Sequence, residues 1–315
     1  MPERQALNSS IRPTRCVKAI AVALICGLAL IAGCKTQDDA ASAATQMSAT
    51  AKSLSDYYAA LGVILSNTDK IYAINARLYS KPYSDESRKQ LKTTQDELAR
   101  RVQLAADLST LAGNFAKLTG SEAPADVAAS CNKLETEVDG LASRTASTGE
   151  QNMIKSALQL LVTAIQERKE RDAARAMDSL ASGLSNLFDK EAPAWNSVDE
   201  VYSGLAANLA NSLVDQNAVD NTALLKAALE PFGLTPAPAS VEVNAKLAPV
   251  AKQQIADRQA ALEASYTNAT DAMSKSLKEM SERIHLVAED KPMAFRAPPV
   301  TVSTVEQWAT QVLSW

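Results

Sequence analysis

The feature that most constrains the fold is a seven-residue period in the apolar positions that follow residue 50. Two series recur every seven residues, one offset from the other by three: Leu54, Leu61, Thr68 and Asn75, and Tyr57, Ile64, Ile71 and Leu78. Alternating spacings of three and four residues place both series on one side of an α-helix. The chain also has only 10 glycines and 4% aromatic residues. We therefore predict an all-α protein without a sheet.

The same pattern, read along the chain, predicts a series of helices separated by Pro, Gly and polar breaks. The predicted helices cover residues 49–79, 84 to about 119 (with Ser84 as the cap), 125–145, 150–190, 195–214, 221–230 and 241–287. Pro193 is expected to separate the fourth helix from the fifth, because proline lacks a backbone donor. Short connections favour antiparallel neighbours. Residues 51–290 are thus predicted to form an elongated antiparallel bundle of four to six long helices.

Residues 291–315 are predicted to be a Pro-rich tail that ends in a short helix. Ser303 and Glu306 have the spacing of a capping box, in which the two side chains bond reciprocally to backbone amides at the helix start. Four aromatic residues lie outside the stripes and are the candidate partner-docking residues: Phe232, Phe295, Trp308 and Trp315. They either fold back to cap the bundle or anchor a partner protein, since exposed Trp and Phe are effective anchors.

The N-terminal segment has the organisation of a secretory signal. A basic stretch from Arg12 to Lys18 is followed by 14 apolar or small residues, Ala19–Ala32, and then by Gly33-Cys34. This is the order of a charged region, an apolar region and a small-residue cleavage site. Only 16 uncharged residues separate Lys18 from Lys35, whereas a spanning helix needs about 20 apolar residues. A permanent transmembrane helix is therefore the weaker interpretation.

The end of this segment, Ile31-Ala32-Gly33-Cys34, resembles the lipobox of bacterial lipoproteins. The resemblance covers residues 1–34 only. It implies that residues 1–33 are a signal peptide removed before Cys34, that Cys34 is thioether-linked to diacylglycerol, and that the new N-terminus carries a fatty acyl chain such as palmitate. Lys35 stands where an inner-membrane retention signal commonly has Asp, which implies an outer-membrane lipoprotein that faces the periplasm. A plain cleaved signal and an uncleaved anchor are the alternatives.

Residues 34–50 are predicted to be the lipidated N-terminus and a flexible tether, because the segment is small and polar with no apolar period. Its Ala-rich end is open to a second interpretation, as the first turns of the next helix.

Charge argues against a nucleic-acid partner. Without residues 1–33 the chain has 28 basic and 35 acidic residues, a net charge of −7. Affinity for nucleic acid depends largely on neutralising phosphates with Lys and Arg. The same balance gives no electrostatic reason for the body to lie on anionic lipid.

No catalytic, metal or cofactor motif is identified. The single histidine, His285, sits in a Glu-x-x-His pattern, but the second such pair of a di-iron site is absent, so a helix-surface histidine is favoured. Counting residues leaves a Ser-His-Asp triad open. Ser130 and Lys133 fit Ser-x-x-Lys without the companion motifs of penicillin-binding enzymes. Cys131 is expected to be buried and inert, with an intermolecular disulfide as the alternative.

These observations favour a non-enzymatic function. The preferred hypothesis is a membrane-tethered scaffold, adaptor or accessory subunit that contacts an envelope protein. The alternative is a binding module that holds an apolar or small ligand between helices.

Overall fold

A computed structural model describes residues 14–80, 82–118, 124–141, 148–167, 169–238, 240–289 and 302–314, with side chains from Asp39 onwards. Within these ranges the chain forms helices and connecting turns and contains no β-strand. The all-α prediction is therefore confirmed. Among the described residues, no helix is both long and apolar enough to span a membrane.

The described residues form eight α-helices. They are α1 (Thr14–Tyr79), α2 (Asp85–Leu118), α3 (Pro124–Asp139), α4 (Thr148–Gln166), α5 (Glu170–Asp215), α6 (Lys226–Leu229), α7 (Val241–Ala288) and α8 (Ser303–Leu313). Two short 3-10 turns, Asn221–Leu225 and Glu230–Phe232, flank α6.

Helices α1 and α2 run antiparallel and are joined through serine hydroxyls. The Ser48 hydroxyl lies 2.9 Å from the carbonyl oxygen of Ser109, and the Ser55 hydroxyl lies 3.2 Å from that of Val102. Residue numbers thus rise along α1 as they fall along α2. Small side chains at these contacts allow the two helix axes to approach closely.

Helices α5 and α7 also run antiparallel. Ser182 and Ser281 bond through their hydroxyls at 3.0 Å, and the Ser203 hydroxyl donates to Glu263 at 2.9 Å. The buried side chains of α1, α2, α5 and α7 join those of α3, α4 and α8 in one hydrophobic cluster. The core therefore draws on helices that are far apart in sequence.

The start of α2 follows the sequence prediction. The backbone amide of Ser87 donates to the Ser84 hydroxyl at 3.1 Å, which satisfies one of the free amides at the helix start. Asp85 and Glu86 occupy the first turn, where the helix dipole favours negative charge.

The boundary between the fourth and fifth predicted helices is wrong in two ways. In place of one helix over 150–190, α4 ends at Gln166 and α5 begins at Glu170, and α5 then continues through Pro193 without a break. The interruption falls in a charged segment that has few apolar side chains to bury. Turning back there lets Ile154 and Leu158 of α4 join the same buried core as Leu180 of α5.

Pro193 is tolerated inside α5 because its neighbours are held by tertiary contacts. An interior proline costs about 3 kcal/mol. Glu191 and Trp195, two residues to either side, are both buried. Their interactions offset the proline cost and keep the helix continuous.

Residues 39–50 are not a tether in the structure. They belong to α1 and bury Ala43, Ala44, Met47 and Thr50. The second interpretation of the Ala-rich end is therefore correct for these residues: alanine favours helix, and Met47 supplies an apolar side chain that enters the core.

Two further boundaries differ from the prediction. α3 ends at Asp139 rather than near residue 145. At this end, the amide of Gly140 donates to the Thr136 carbonyl. α8 begins where predicted, but the capping box is not formed. Val302 is the N-cap and makes no side-chain cap bond, and the Glu306 carboxylate instead accepts a hydrogen bond from Ser53 of α1 at 3.2 Å.

Candidate functional site

Ser130 and Lys133 do not form a catalytic pair. The Ser130 hydroxyl donates to the Asp126 carbonyl at 2.9 Å and accepts from the Asn114 amide at 3.1 Å. Lys133 lies on the exposed face of α3. The serine hydroxyl is therefore occupied by structural hydrogen bonds.

His285 pairs with an aspartate across the α5–α7 contact. Its Nδ1 atom lies 3.0 Å from Oδ2 of Asp178, and the imidazole is 54% exposed. One turn further on each helix, Ser182 and Ser281 hydrogen-bond to each other. Two members of a triad are thus adjacent, but the hydroxyls next to them are already bonded. The geometry fits a histidine on the helix surface.

Cys131 is buried, as predicted. Its side chain belongs to the core and is 2% exposed. Burial raises the pKa of the Cys131 thiol to about 12, and the nearby carboxylate of Glu135 adds to the increase. The reactive thiolate is therefore strongly disfavoured at neutral pH.

An ion pair between Arg101 and Glu191 lies fully inside the protein. The guanidinium makes two bonds to the carboxylate, Nη2 to Oε1 at 2.6 Å and Nε to Oε2 at 2.9 Å. The Tyr58 hydroxyl and the Trp195 indole also donate to Oε2, at 3.3 and 3.4 Å. Four donors on two carboxylate oxygens compensate for burial of the charges.

The cavity beside this network is small. Its volume is about 10 Å³, room for about one water molecule. It is lined by Arg101, Tyr58, Leu108 and Phe188 among others. The network therefore holds α1, α2 and α5 together and offers no ligand-sized chamber at this place.

A cluster of aromatic rings encloses Trp308, one of the four docking candidates. The Tyr57 ring centroid lies 5.3 Å from that of Trp308 and 5.5 Å from that of Phe188, and the Tyr57 hydroxyl bonds to Thr270 at 2.9 Å. Trp308 is only 5% exposed. It is packed inside its own chain, which favours the capping interpretation of Trp308 over the docking one.

The reason is the apolar face of α8. Val305, Ala309 and Val312 are buried together with Trp308, and this spacing of three and four residues makes one continuous face. α8 lies against α1 and α7. Two other docking candidates, Phe295 and Trp315, lie outside the described residues.

Asp199 is a buried carboxyl on the face of α5 that meets α7. It is 3% exposed. Burial raises the pKa of Asp199 to about 6, and the carboxylates of Glu263 and Glu200 raise it further. One turn along, Ser203 donates to Glu263 at 2.9 Å, and Gln259 donates to the same oxygen. The buried carboxyl of Asp199 therefore lies near the half-buried carboxylate of Glu263 and the exposed carboxylate of Glu200.

The fourth docking candidate, Phe232, is the most exposed large apolar side chain of those described, at 76%. It precedes Gly233, whose φ of 67° is left-handed and favours glycine. The amide of Gly233 donates to the Glu230 carbonyl and that of Leu234 to the Leu229 carbonyl. This pair of bonds is a Schellman motif, which fixes the backbone that displays Phe232.

Other exposed apolar side chains share this end of the molecule. We call them together the apolar end: Ile74, Leu78, Val219, Phe232, Leu234, Val241, Val243 and Val250. Three contacts bring their segments together: Gln216 to the Tyr79 hydroxyl, Lys252 to Asp215, and Asn244 to the Val219 carbonyl.

The apolar stripe of α1 also continues into this end. Its buried part stops at Thr68, whereas Leu78, a later member of the same stripe, is 50% exposed. The sequence predicts burial for Leu78, and the described residues leave it half uncovered. Exposed apolar side chains that gather on one part of a protein are typical of interaction surfaces, so the apolar end is the candidate functional site.

Comparison with known proteins found no match: no protein-family model, curated protein or solved structure is similar to this chain.

Proposed function

We propose that the protein is a lipid-anchored scaffold or adaptor of the cell envelope, which presents its apolar end to a partner protein. The observation that carries the proposal is the concentration of exposed apolar side chains at one end, with Phe232 held on a fixed turn. A large aromatic side chain on a rigid backbone loses little conformational freedom on binding and makes a strong anchor.

The proposed architecture is an elongated antiparallel bundle. The helices α1, α2, α5 and α7 are its long members, and α3 and α4 complete the predicted four to six. This arrangement is supported by the hydrogen bond from Gln216, just after α5, to the Tyr79 hydroxyl at the end of α1, and by the ion pair between Asp215 of α5 and Lys252 of α7.

The anchor in this proposal is Cys34, lipidated and held in the outer membrane on the periplasmic side. A continuous α1 has a rise of about 1.5 Å per residue, so Cys34 and Tyr79 would be about 68 Å apart along its axis. The lipid and the apolar end would then occupy opposite ends of one helix. A partner would be met far from the membrane that holds the anchor.

A protein fits the apolar end better than a lipid surface does. The chain after residue 33 has a net charge of −7, which opposes adsorption to anionic lipid. The charged residues beside the apolar end have both signs, as at Lys252 and Asp215. An apolar centre with a mixed polar rim is typical of protein interfaces.

Photocrosslinking in cells tests the proposal. A photoreactive amino acid at Phe232 is compared with the same residue at Leu160, which is also apolar and 60% exposed but lies on α4. We expect a discrete protein adduct from position 232 and none of that size from position 160. Equal adducts from both positions, or only phospholipid adducts from position 232, would contradict the proposal.

A second variant separates binding from folding. With the photoreactive residue at Leu234, the substitution Phe232→Ser should abolish the adduct while the thermal melting curve stays unchanged, because Phe232 is 76% exposed. A melting temperature that falls together with the adduct would assign Phe232 a structural role instead.

A further inference from the structure

We propose that the outer half of the α5–α7 pair is an acid-tightened arm, in which protonation of the buried Asp199 carboxyl strengthens the pairing of the two helices. The arm consists of residues 199–215 of α5 and 241–263 of α7. This inference concerns the helix pair itself and does not depend on the proposed partner.

Asp199 occupies a buried position on α5. Its side chain is 3% exposed, between the buried Val198 and the buried Ser203. A carboxyl group with so little exposure is costly to ionise, whereas the neutral acid is tolerated much better.

Titratable groups from both α5 and α7 interact with Asp199. From α7 these are Glu263 and Tyr266, and from α5 they are Glu200 and Tyr202. The Tyr57 hydroxyl of α1 bonds to Tyr266 and Thr270 instead. The charged groups that act on Asp199 are thus carboxylates, and both disfavour its ionisation.

The arm has little apolar packing between its two helices. Beyond Asp199 its buried side chains on α5 are Ser203, Ala207 and Val214, and on α7 they are Asn244 and Ala251. Such small or polar side chains remove little apolar area from water. One ionisation between the helices therefore has a large effect on the balance between paired and separated states.

The sign of the pH dependence follows from the direction of the shift. The pKa of Asp199 rises from 3.8 to about 6 in the folded chain. An acid with a raised folded pKa favours the folded form when protonated, so pairing is strongest below the unfolded pKa. Pairing weakens as pH rises from about 4 to about 6 and then levels off.

Amide hydrogen exchange of the full chain tests this inference. Protection factors, corrected for the intrinsic exchange rate, are measured at about pH 5.0 and 7.5. For openings that expose Asp199 to water, we expect arm amides to lose protection by about tenfold between these two values, as the two pKa values require. Asp199→Asn, which keeps the side-chain shape without the charge, should remove this loss.

The matched control is Asp271→Asn, because Asp271 is an exposed carboxylate on the same helix α7. This variant should keep the tenfold loss of the wild-type chain. Equal arm protection at both pH values in the wild type would overturn the inference. So would a tenfold loss that persists in Asp199→Asn, since it would then come from another group.

Discussion

At the scale of single residues, the Arg101–Glu191 pair shows how a helical core of small side chains accommodates charge. Both side chains are almost completely buried, at 1% and 0% exposure. Desolvation of the two ions is offset by their mutual attraction and by the bonds from Tyr58 and Trp195. Removing only one partner leaves the other charge buried and uncompensated, which is the costly outcome.

We therefore expect Glu191→Leu to lower the free energy of unfolding by about 3–5 kcal/mol, and Arg101→Met to do the same. The double variant should recover most of the loss, because neither charge remains. Urea unfolding followed by circular dichroism measures all three. Lys92→Met is the control, because Lys92 and Asp96 form an ion pair whose side chains are 76% and 65% exposed. This substitution should change the free energy of unfolding by less than about 1 kcal/mol. A double variant no more stable than the singles would refute this account.

The sequence contained a signal for this pair that a count of apolar residues misses. Arg101 lies three residues after Leu98 and seven before Leu108, both of which are fully buried. Glu191 lies between Phe188 and Trp195 with the same helical spacing. Opposite charges at core positions of two helices indicate a buried pair, but which helices meet is a tertiary property. Asp199 escaped sequence analysis for the same reason.

At the scale of elements, the side chain of Trp308 packs α8 against the other helices. Trp308 is in contact with the rings of Tyr57 and Tyr266, at centroid distances of 5.3 and 5.6 Å. The helix has only 11 residues, and isolated helices of that length are marginal in water. Its stability therefore depends on docking into the surface formed by α1 and α7.

We expect Trp308→Ala to lower the free energy of unfolding by about 3–5 kcal/mol, since a large buried aromatic side chain is replaced by a cavity. Leu313→Ala on the same helix is the control, because Leu313 is 48% exposed, and should cost less than about 1 kcal/mol. Chemical denaturation measures both changes. Stability that is unaffected by Trp308→Ala would mean that α8 does not pack on the other helices in solution.

Helix existence was predictable from spacing, whereas helix ends depended on partners. Ser84 caps α2 as expected because the cap is a local interaction. Pro193 was predicted to separate two helices, yet α5 continues through Pro193 because tertiary contacts hold the neighbouring residues. Ser303 and Glu306 match a local capping pattern, but the Glu306 carboxylate accepts a hydrogen bond from Ser53 instead. Local rules fail at the positions where a distant residue offers the stronger interaction.

At the scale of the whole molecule, the proposed anchor, Cys34, and two residues of the apolar end, Ile74 and Leu78, belong to the same helix α1. The Ile31-Ala32-Gly33-Cys34 segment supports the anchor, and it precedes the residues whose side chains are described. Each methylene of an acyl chain contributes about 0.8 kcal/mol of membrane affinity, so two or more chains hold a protein stably.

We expect Cys34→Ser to leave the membrane fraction or to accumulate as an uncleaved precursor. Cys131→Ser is the control: it removes the buried thiol and should keep membrane association unchanged. Fractionation followed by intact mass measurement checks both variants, because acylation adds a defined mass. Processed Cys34→Ser protein that stays fully with the membrane would refute the lipid anchor.

The ring cluster around Tyr57 also bears on the order in which the chain assembles. Tyr57 contacts Phe188, Tyr266 and Trp308, so one residue near the beginning closes against three distant parts of the polypeptide. Hairpins such as α1–α2 close short loops and can form early. The rings meet only after loops of more than a hundred residues have closed, at a larger entropic cost. We expect late closure of this kind to make folding slower than is usual for a protein rich in local helical contacts.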